Sequence, residues 1–136
     1  FRLSGIYSTQ NNILKRLMAG QVNVIKKKNH FFSRVHVEDI ANILFNSLNK
    51  FKRNQIYNIS DDEPASQEEV AIYGSKLLKI NSLKFLQPDS LEDGMLKDFY
   101  RDSKKVDNKK VKEFFNYKFT YPTYKEGLDN ILNKIA

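Results

Sequence analysis

The chain has 136 residues, which is the length of one ordinary domain and too short for two full hydrophobic cores. Forty per cent of the residues are hydrophobic, with ten Phe and seven Tyr among the aromatic ones, so the composition excludes a disordered protein. The chain contains no cysteine, which excludes disulfides, a thiolate nucleophile and a cysteine-ligated zinc site.

Hydrophobic periodicity predicts that strands and helices alternate in the first part of the chain. The predicted strands are 1–7, 22–25, 31–37 and 55–59, and the predicted helices are 13–18, 38–48 and one that begins after residue 66. Asn11 or Asn12 can cap the first helix, and Gly20 ends it. Ser66 and Glu69 have the spacing of a capping box at the start of the third helix.

The pattern weakens after Asn81, where Pro88, Gly94 and mixed charges indicate loops. Two further helices are predicted at 106–115 and 124–135. The sequence has neither an internal repeat nor a low-complexity segment. Alternating strands and helices joined by short loops predict an α/β fold.

The formal charge of +7 comes mostly from lysine, since eighteen of the 23 basic residues are Lys and only five are Arg. Proteins that recognise nucleic acids favour Arg and interleave aromatic residues in a basic stripe. The densest basic run, 26–28, instead suits a solvated turn between two strands. We therefore expect no nucleic-acid partner, although a basic nucleic-acid-binding domain stays open as an alternative function.

The sequence also bears on location and on completeness. No apolar run approaches the roughly 20 residues of a membrane span, and the first residues lack the apolar core of a signal peptide. We therefore expect a cytoplasmic protein without a membrane partner. Because residues 1–7 are already strand-like and carry no initiator Met, we expect that the chain comes from a longer protein.

Few residues have a pattern that is typical of catalysis. The five glycines are scattered, so the chain contains neither a glycine-rich dinucleotide turn nor a phosphate-binding loop. The only tight acidic cluster, 61–63, is predicted to be an exposed loop after a strand and not a metal site. His36 is predicted to be a structural histidine at a strand end, and Asp39 to stabilise the first turn of its helix. Residue chemistry alone leaves the function open.

Four parts of the chain, in order, are similar to motifs of one family. Residues 1–7 (FRLSGIY) resemble an Arg-x-x-x-hydrophobic-Tyr strand, and residues 31–41 (FFSRVHVEDIA) an aromatic-x-x-His-Val-x-Asp-hydrophobic-Ala stretch. Residues 56–64 (IYNISDDEP) resemble a Tyr-Asn-hydrophobic-Gly strand with its exit loop. Residues 106–110 and 121–128 resemble an Asp-x-x-Lys helix and a closing Glu-Gly-Leu helix. Together these segments resemble the C-terminal part of the atypical, extended short-chain dehydrogenase/reductases.

The resemblance implies the C-terminal portion of a Rossmann-type doubly wound α/β fold with its small substrate-binding lobe. The whole chain, 1–136, is expected to form one unit of the last sheet strands and this lobe. The N-terminal dinucleotide-binding half would hold the glycine-rich turn and the catalytic Ser, Tyr and Lys. No catalytic residue and no metal ligand is therefore expected in this chain.

For the complete protein, the resemblance implies an NAD(P)-dependent epimerase, dehydratase or oxidoreductase that acts on a hydroxyl or carbonyl of a sugar or a sugar-nucleotide-like molecule. Whether the protein is an enzyme stays open, because a non-catalytic NAD(P)-sensing or scaffold protein with the same fold is an alternative. The implied cofactor contacts are the backbone of Leu3, Ser4 and Gly5, and the implied substrate-binding residues are Tyr7, Asn11, Asn12, Phe32 and Arg34.

The chain alone is expected to bind neither NAD nor NADP, because it lacks the helix N-terminus that holds the pyrophosphate. It is also expected to self-associate or to pair with the N-terminal half, since it begins on an internal strand of the sheet. Three positions depart from the nucleotide-sugar members of the family. Gly5 stands where Asn is frequent, Ser8-Thr9 replaces Gly-Pro, and Phe32 stands where an Arg binds the phosphates. These departures disfavour a diphosphate substrate, with Arg34 as a partial compensation.

Overall fold

The computed structural model describes residues 1–136, and each strand in it is only two or three residues long. The strands are β1 (Arg2–Leu3), β2 (Gly5–Tyr7), β3 (Asn23–Ile25), β4 (Arg34–His36), β5 (Asn58–Ile59) and β6 (Lys84–Leu86). The helices are α1 (Ile13–Met18), α2 (Val37–Ser47), α3 (Gln67–Leu77), α4 (Met95–Phe99), α5 (Lys109–Phe115) and α6 (Tyr124–Ile135), with a 3₁₀ turn at Pro88–Ser90. The fold is therefore mixed α/β, as the sequence predicts.

The strands form three parallel pairs, β1 with β5, β2 with β4 and β3 with β6. Parallel partners need a crossover connection, which the helices provide. The predicted strand 1–7 is interrupted at Ser4, whose N–H donates to Ile59 at 3.0 Å, while the next N–H, of Gly5, donates to Ser33 at 3.1 Å. The prediction of one continuous strand was therefore wrong, because the chain changes its pairing partner at Ser4.

The helix ends agree with their capping signals. The side chain of Asn12 accepts a hydrogen bond from a backbone N–H of the first turn of α1 at 3.0 Å, and Gly20 follows that helix with a φ of 65°. Ser66 and Glu69 form the predicted capping box of α3, and Thr123 heads a second one at the start of α6. These local signals explain why the predicted bounds of α1 and α6 agree with the structure.

The stretch after Asn81 contains two elements that periodicity does not indicate. All three residues of β6 are exposed, and it is held by its pairing with β3. Helix α4 has five residues and buries none of them. The prediction of loops at these positions was wrong. Periodicity indicates an element only through its buried apolar face, and neither of these elements has one.

Two apolar clusters lie on opposite faces of the β2–β4 pair. The first, between α1, α3 and α6, contains Tyr7, Ile13, Leu14, Leu17, Ala65, Val70, Tyr124, Leu128 and Ile131. The second, around α2, α5 and β5, contains Val35, Ile40, Ile43, Tyr57, Ile59, Val111 and Phe119. Since side chains alternate along a strand, Tyr7, Arg34 and His36 share the face of the first cluster.

A stripe of α2 carries apolar side chains that face away from both clusters. Leu44, Phe45 and Leu48 are 42, 67 and 76% exposed, whereas Ile40 and Ile43 of the same helix are buried. In the adjacent strands, Leu3 and Ile6 are also nearly half exposed. Apolar surface of this extent commonly marks a site of association. No helix of the structure is long and apolar enough to cross a membrane.

Candidate functional site

A groove of about 900 Å³ follows the β2–β4 pair and is bordered on its far side by α4. This volume lies in the range of small-molecule sites in proteins. The groove brings together six of the eight residues predicted to contact cofactor or substrate: Leu3, Ser4, Gly5, Tyr7, Phe32 and Arg34. The backbone N–H groups of Ser4 and Gly5 are engaged in the sheet, so a bound molecule cannot use them.

The remaining two predicted residues, Asn11 and Asn12, line a smaller adjoining cavity of about 110 Å³, which shares Tyr7 and Arg34 with the groove. The side chain of Asn12 is buried, caps α1 and donates to the carbonyls of Ser8 and Thr9 at 2.8 and 3.1 Å. Asn12 therefore holds the loop in place and has no polar atom left for a ligand. Asn11 is exposed, so its amide faces solvent.

Arg34 is the half-buried cation of the groove. Its Nη1 donates to the carbonyls of Phe32 and Ala65 at 3.1 and 2.9 Å, which fixes the guanidinium. Burial lowers the pKa of Arg34, while the nearby carboxylate of Asp61 opposes that shift. An arginine in this setting keeps its charge and can offer its remaining N–H groups to an anion.

Four ring side chains, which we call the aromatic wall, pack together along one side of the groove: His30, Phe32, Phe99 and Tyr100. The last three line the groove, and His30 is buried against them. The rings of Phe32 and Phe99 are stacked, with centroids 4.2 Å apart and planes inclined by 7°. His30 packs edge-on against Phe32 at 4.5 Å and stacks on Tyr100 at 5.1 Å. The Tyr100 hydroxyl donates to Gln67 of α3, so the wall is anchored to a helix of the first cluster.

Residues 103–106 run beside residues 31–33 and are hydrogen-bonded to them, which fixes the position of the aromatic wall. The N–H of Phe31 donates to the Ser103 hydroxyl at 2.9 Å, and the N–H of Lys104 donates to the carbonyl of Phe31 at 3.0 Å. The sequence pattern does not indicate Phe99 and Tyr100 as site residues, because they lie in the stretch without periodicity. No sequence pattern links these two adjacent residues to Phe32, and only the tertiary contact with Phe32 brings them to the groove.

No protein-family model matches the chain, and no curated protein does so. Solved structures match nearly all of it. A functionally unknown conserved protein from Silicibacter pomeroyi is 32% identical, with a TM-score of 0.93, and the match covers 98% of this chain and 48% of that one. The UDP-glucose 4-epimerase from Thermotoga maritima with UDP-glucose is 15% identical, with a TM-score of 0.75, over 98% of this chain and 44% of the epimerase.

The dTDP-glucose 4,6-dehydratase from Bacillus anthracis in complex with NAD is 18% identical, with a TM-score of 0.74, over 97% of this chain and 42% of the dehydratase. The chain has the fold of the C-terminal part of an extended short-chain dehydrogenase/reductase. It spans less than half the length of each of these three proteins. The predicted family resemblance and fold class are thereby confirmed.

Within this dehydrogenase/reductase fold, Tyr7 lies at the end of β2, where the groove and the smaller cavity meet. Its hydroxyl is buried without a partner and packs against Gly127 of α6, where an added Cβ would lie 2.0 Å from it. Burial raises the pKa of Tyr7 far above its ordinary value. The phenol therefore stays protonated, and its O–H group is enclosed against α6 and not exposed to the groove.

His36 contacts the edge of Tyr7, with ring centroids 5.1 Å apart. Its Nδ1 accepts from the N–H of Glu38 at 3.2 Å and so caps α2, as expected of a structural histidine. Its Nε2 is buried and has no partner, so only one of the two ring nitrogens is hydrogen-bonded. Burial lowers the pKa of His36, which keeps the imidazole neutral.

The acidic cluster 61–63 differs from the exposed loop that the sequence predicts. Asp61 is buried, and its burial raises the pKa of the carboxyl to about 7. Asp62 and Glu63 pair with Lys112 and Lys125 at 2.7 and 3.2 Å. The structure groups no set of His, Asp and Glu side chains that could hold a metal ion. The prediction was wrong for Asp61, because the loop folds inward beneath Arg34, whose carbonyl accepts from the Asp61 N–H at 2.7 Å.

Asp39 is fully buried and joins α2 to the segment before α6. Its carboxylate accepts hydrogen bonds from the Tyr117 hydroxyl at 2.6 Å and from the N–H groups of Thr120 and Tyr121 at 2.8 and 3.0 Å. This geometry agrees with a structural role, but the donors differ from those expected. They belong to residues about 80 positions later in the chain and not to the first turn of α2.

Proposed function

We propose that this chain is the substrate-binding part of an NAD(P)-dependent epimerase, dehydratase or oxidoreductase. One observation carries the proposal. A chain with the fold of the C-terminal part of such enzymes has a groove of about 900 Å³, lined by the three predicted cofactor contacts and by three of the five predicted substrate contacts. In this proposal Leu3, Ser4 and Gly5 border the cofactor, while Tyr7, Phe32 and Arg34 contact a small molecule that carries a hydroxyl or carbonyl. Asn11 contacts the same molecule through the adjoining cavity, and Asn12 supports that loop.

The cofactor in this proposal is NAD or NADP, by analogy with the dehydratase of similar fold that is in complex with NAD. The residues of this chain could contact one edge of such a molecule but could not hold its pyrophosphate. None of the five glycines forms a glycine-rich turn before a helix, and the N–H groups of Ser4 and Gly5 are engaged in the sheet. The pyrophosphate would therefore be held by another part of the protein, and we expect no cofactor binding by this chain alone.

We further propose that an N-terminal dinucleotide-binding half covers the exposed apolar surface, with residues 1–136 forming one unit of last strands and substrate lobe. Support comes from the exposed Leu44, Phe45 and Leu48 of α2 and from the unpaired edges of the short strands. In the absence of that half, the same surface should drive self-association. A cytoplasmic location remains part of this proposal.

Calorimetric titration with NAD and with NADP tests the proposal. We compare this chain with the parent protein, expressed with the sequence that precedes Phe1 in its gene. The parent should bind one of the two cofactors with a micromolar dissociation constant, and the chain alone should bind neither. Micromolar binding by the chain alone would contradict the division of roles, and a parent that binds neither cofactor would contradict the function.

Two alternatives from the sequence are separated by further measurements. A non-catalytic sensor or scaffold would bind cofactor in the parent protein and turn over no hydroxyl or carbonyl substrate. A nucleic-acid binder would show an affinity that falls steeply with salt. A depression of about 800 Å³ brings four lysines near Tyr57 and Phe114, but Lys110 and Lys50 already cover these rings at 5.0 and 4.7 Å. These lysines occupy one face of each ring, which reduces the surface on which a base could stack.

A further inference from the structure

The groove joins a fixed apolar surface to a single half-buried cation. We propose that its substrate is an aromatic or similarly apolar molecule with one carboxylate. The apolar body packs on Phe99 and Leu96, and the carboxylate binds Arg34. This inference rests on the proposed function, because it names the substrate class of the same site.

The apolar surface is exposed but rigid. Phe99 and Leu96 are 52 and 55% exposed at the mouth of the groove. The stack on Phe32 fixes the ring of Phe99, and the buried Tyr100 supports both rings from the side at 5.6 Å. A preorganised apolar surface inside a groove binds a flat apolar body with little loss of conformational freedom.

The cation lies close to this surface. The guanidinium carbon of Arg34 is 5.9 Å from the centroid of Phe32, whose ring stacks on Phe99. Only Nη1 is bonded to backbone carbonyls. The Nε and Nη2 atoms have no hydrogen-bond partner in the chain, and neither is among its fully buried polar atoms. The Nε and Nη2 groups therefore remain accessible, in the fork geometry that matches a carboxylate.

The other charged side chains of the groove are exposed, so solvent screens their interaction with a ligand. Lys104 is paired with Asp102 at 3.3 Å, while Arg2 and Arg16 are exposed to solvent. A diphosphate would need a second desolvated cation beside Arg34, and the other three cations that line the groove, Arg2, Arg16 and Lys104, are all exposed. A ligand with one carboxylate needs only the fork of Arg34.

The test titrates the 136-residue chain with three probes, which are 2-naphthoate, the neutral 2-naphthalenemethanol and uridine diphosphate. Naphthalene fluorescence follows the first two, and calorimetry follows all three. We expect 2-naphthoate to bind at least about tenfold more tightly than either of the others. Phe99→Ala should weaken its binding at least about tenfold, because it removes the apolar surface without emptying a buried site. Phe51→Ala, which removes a phenylalanine that is 69% exposed outside the groove, should leave binding within about twofold.

The outcomes separate this inference from the proposed function. If uridine diphosphate binds more tightly than 2-naphthoate, the chain is a substrate-binding part, but our substrate class is wrong. The inference also fails if the neutral alcohol binds as tightly as the acid, or if Phe99→Ala binds 2-naphthoate like the unchanged chain. If none of the three probes binds, both the inference and the substrate-binding role assigned to this chain are overturned.

Discussion

Asp39→Asn replaces one oxygen of the carboxylate that ties α2 to residues 117–121. The carboxylate is fully buried and accepts three hydrogen bonds, one from a hydroxyl and two from backbone N–H groups. An amide keeps one acceptor oxygen and turns an NH₂ group toward a donor on its other side. At least one bond is lost, and the remaining ones lose the negative charge of their acceptor.

The expected loss follows from these three bonds. A hydrogen bond to a charged group contributes about 1.5–3 kcal/mol, roughly twice as much as a bond between neutral groups. Loss of the bond from Tyr121 and weakening of those from Tyr117 and Thr120 should lower the free energy of unfolding by about 2–4 kcal/mol, because bonds in one network are not additive. For a chain of this length, this corresponds to a fall in Tm of roughly 8–16 °C.

Urea unfolding followed by far-ultraviolet circular dichroism measures this free energy. Asp129→Asn is the matched control, because Asp129 is exposed and accepts one hydrogen bond, from Tyr73 at 2.8 Å. The control should lose less than about 1 kcal/mol. A loss at Asp39 no larger than that of the control, with an unchanged denaturant slope, would refute the structural role of this carboxylate. In the parent protein, turnover per folded molecule should change little.

Two further predictions concern Gly127 and Asp61. Gly127→Ala should destabilise the chain by about 1–3 kcal/mol in urea unfolding, although alanine favours a helix, because its Cβ would lie 2.0 Å from the Tyr7 hydroxyl. Because burial raises the pKa of Asp61 to about 7, the folded chain holds a proton that the unfolded chain releases from about pH 4 upward. Stability should therefore fall between about pH 4 and pH 7 by a few kcal/mol, and Asp61→Asn should remove this part of the fall.

For each of these two predictions, one result would contradict it. Gly74→Ala is the control for Gly127, since its Cβ would approach only the ends of leucine and isoleucine side chains, at 2.9 to 3.3 Å, which can move aside. A Gly127→Ala variant that is as stable as Gly74→Ala would contradict the close packing of Tyr7. For Asp61, parallel stability curves of the chain and of Asp61→Asn from pH 4 to pH 8 would show that its pKa is not raised by folding.

Local signals in the sequence explain what could be predicted. The bounds of α1 and α6 and the capping box of α3 each depend on residues within one or two turns of the helix end. The fold itself followed from four short motifs in the right order. Each motif is weak, but their order along the chain is constrained by a single architecture, which the solved structures share.

Tertiary contacts explain what could not be predicted. The strand pairings depend on crossovers, so the change of partner at Ser4 has no local signal. The burial of Asp61 depends on how its loop folds beneath Arg34. The aromatic wall depends on residues about 70 positions apart, since Phe99 and Tyr100 meet Phe32 only in the folded chain. Periodicity reports which faces are buried, but not what they are buried against.

The bonds of Asp39 also constrain the order of events during synthesis. Its partners lie 78 to 82 residues further along the chain, and the first apolar cluster needs Tyr124, Leu128 and Ile131. A nascent chain that has reached only residue 110 therefore carries an unpartnered carboxylate and two incomplete clusters. We expect such a chain to remain a target for chaperones and proteases until α6 has emerged from the ribosome, and to fold then in one cooperative step.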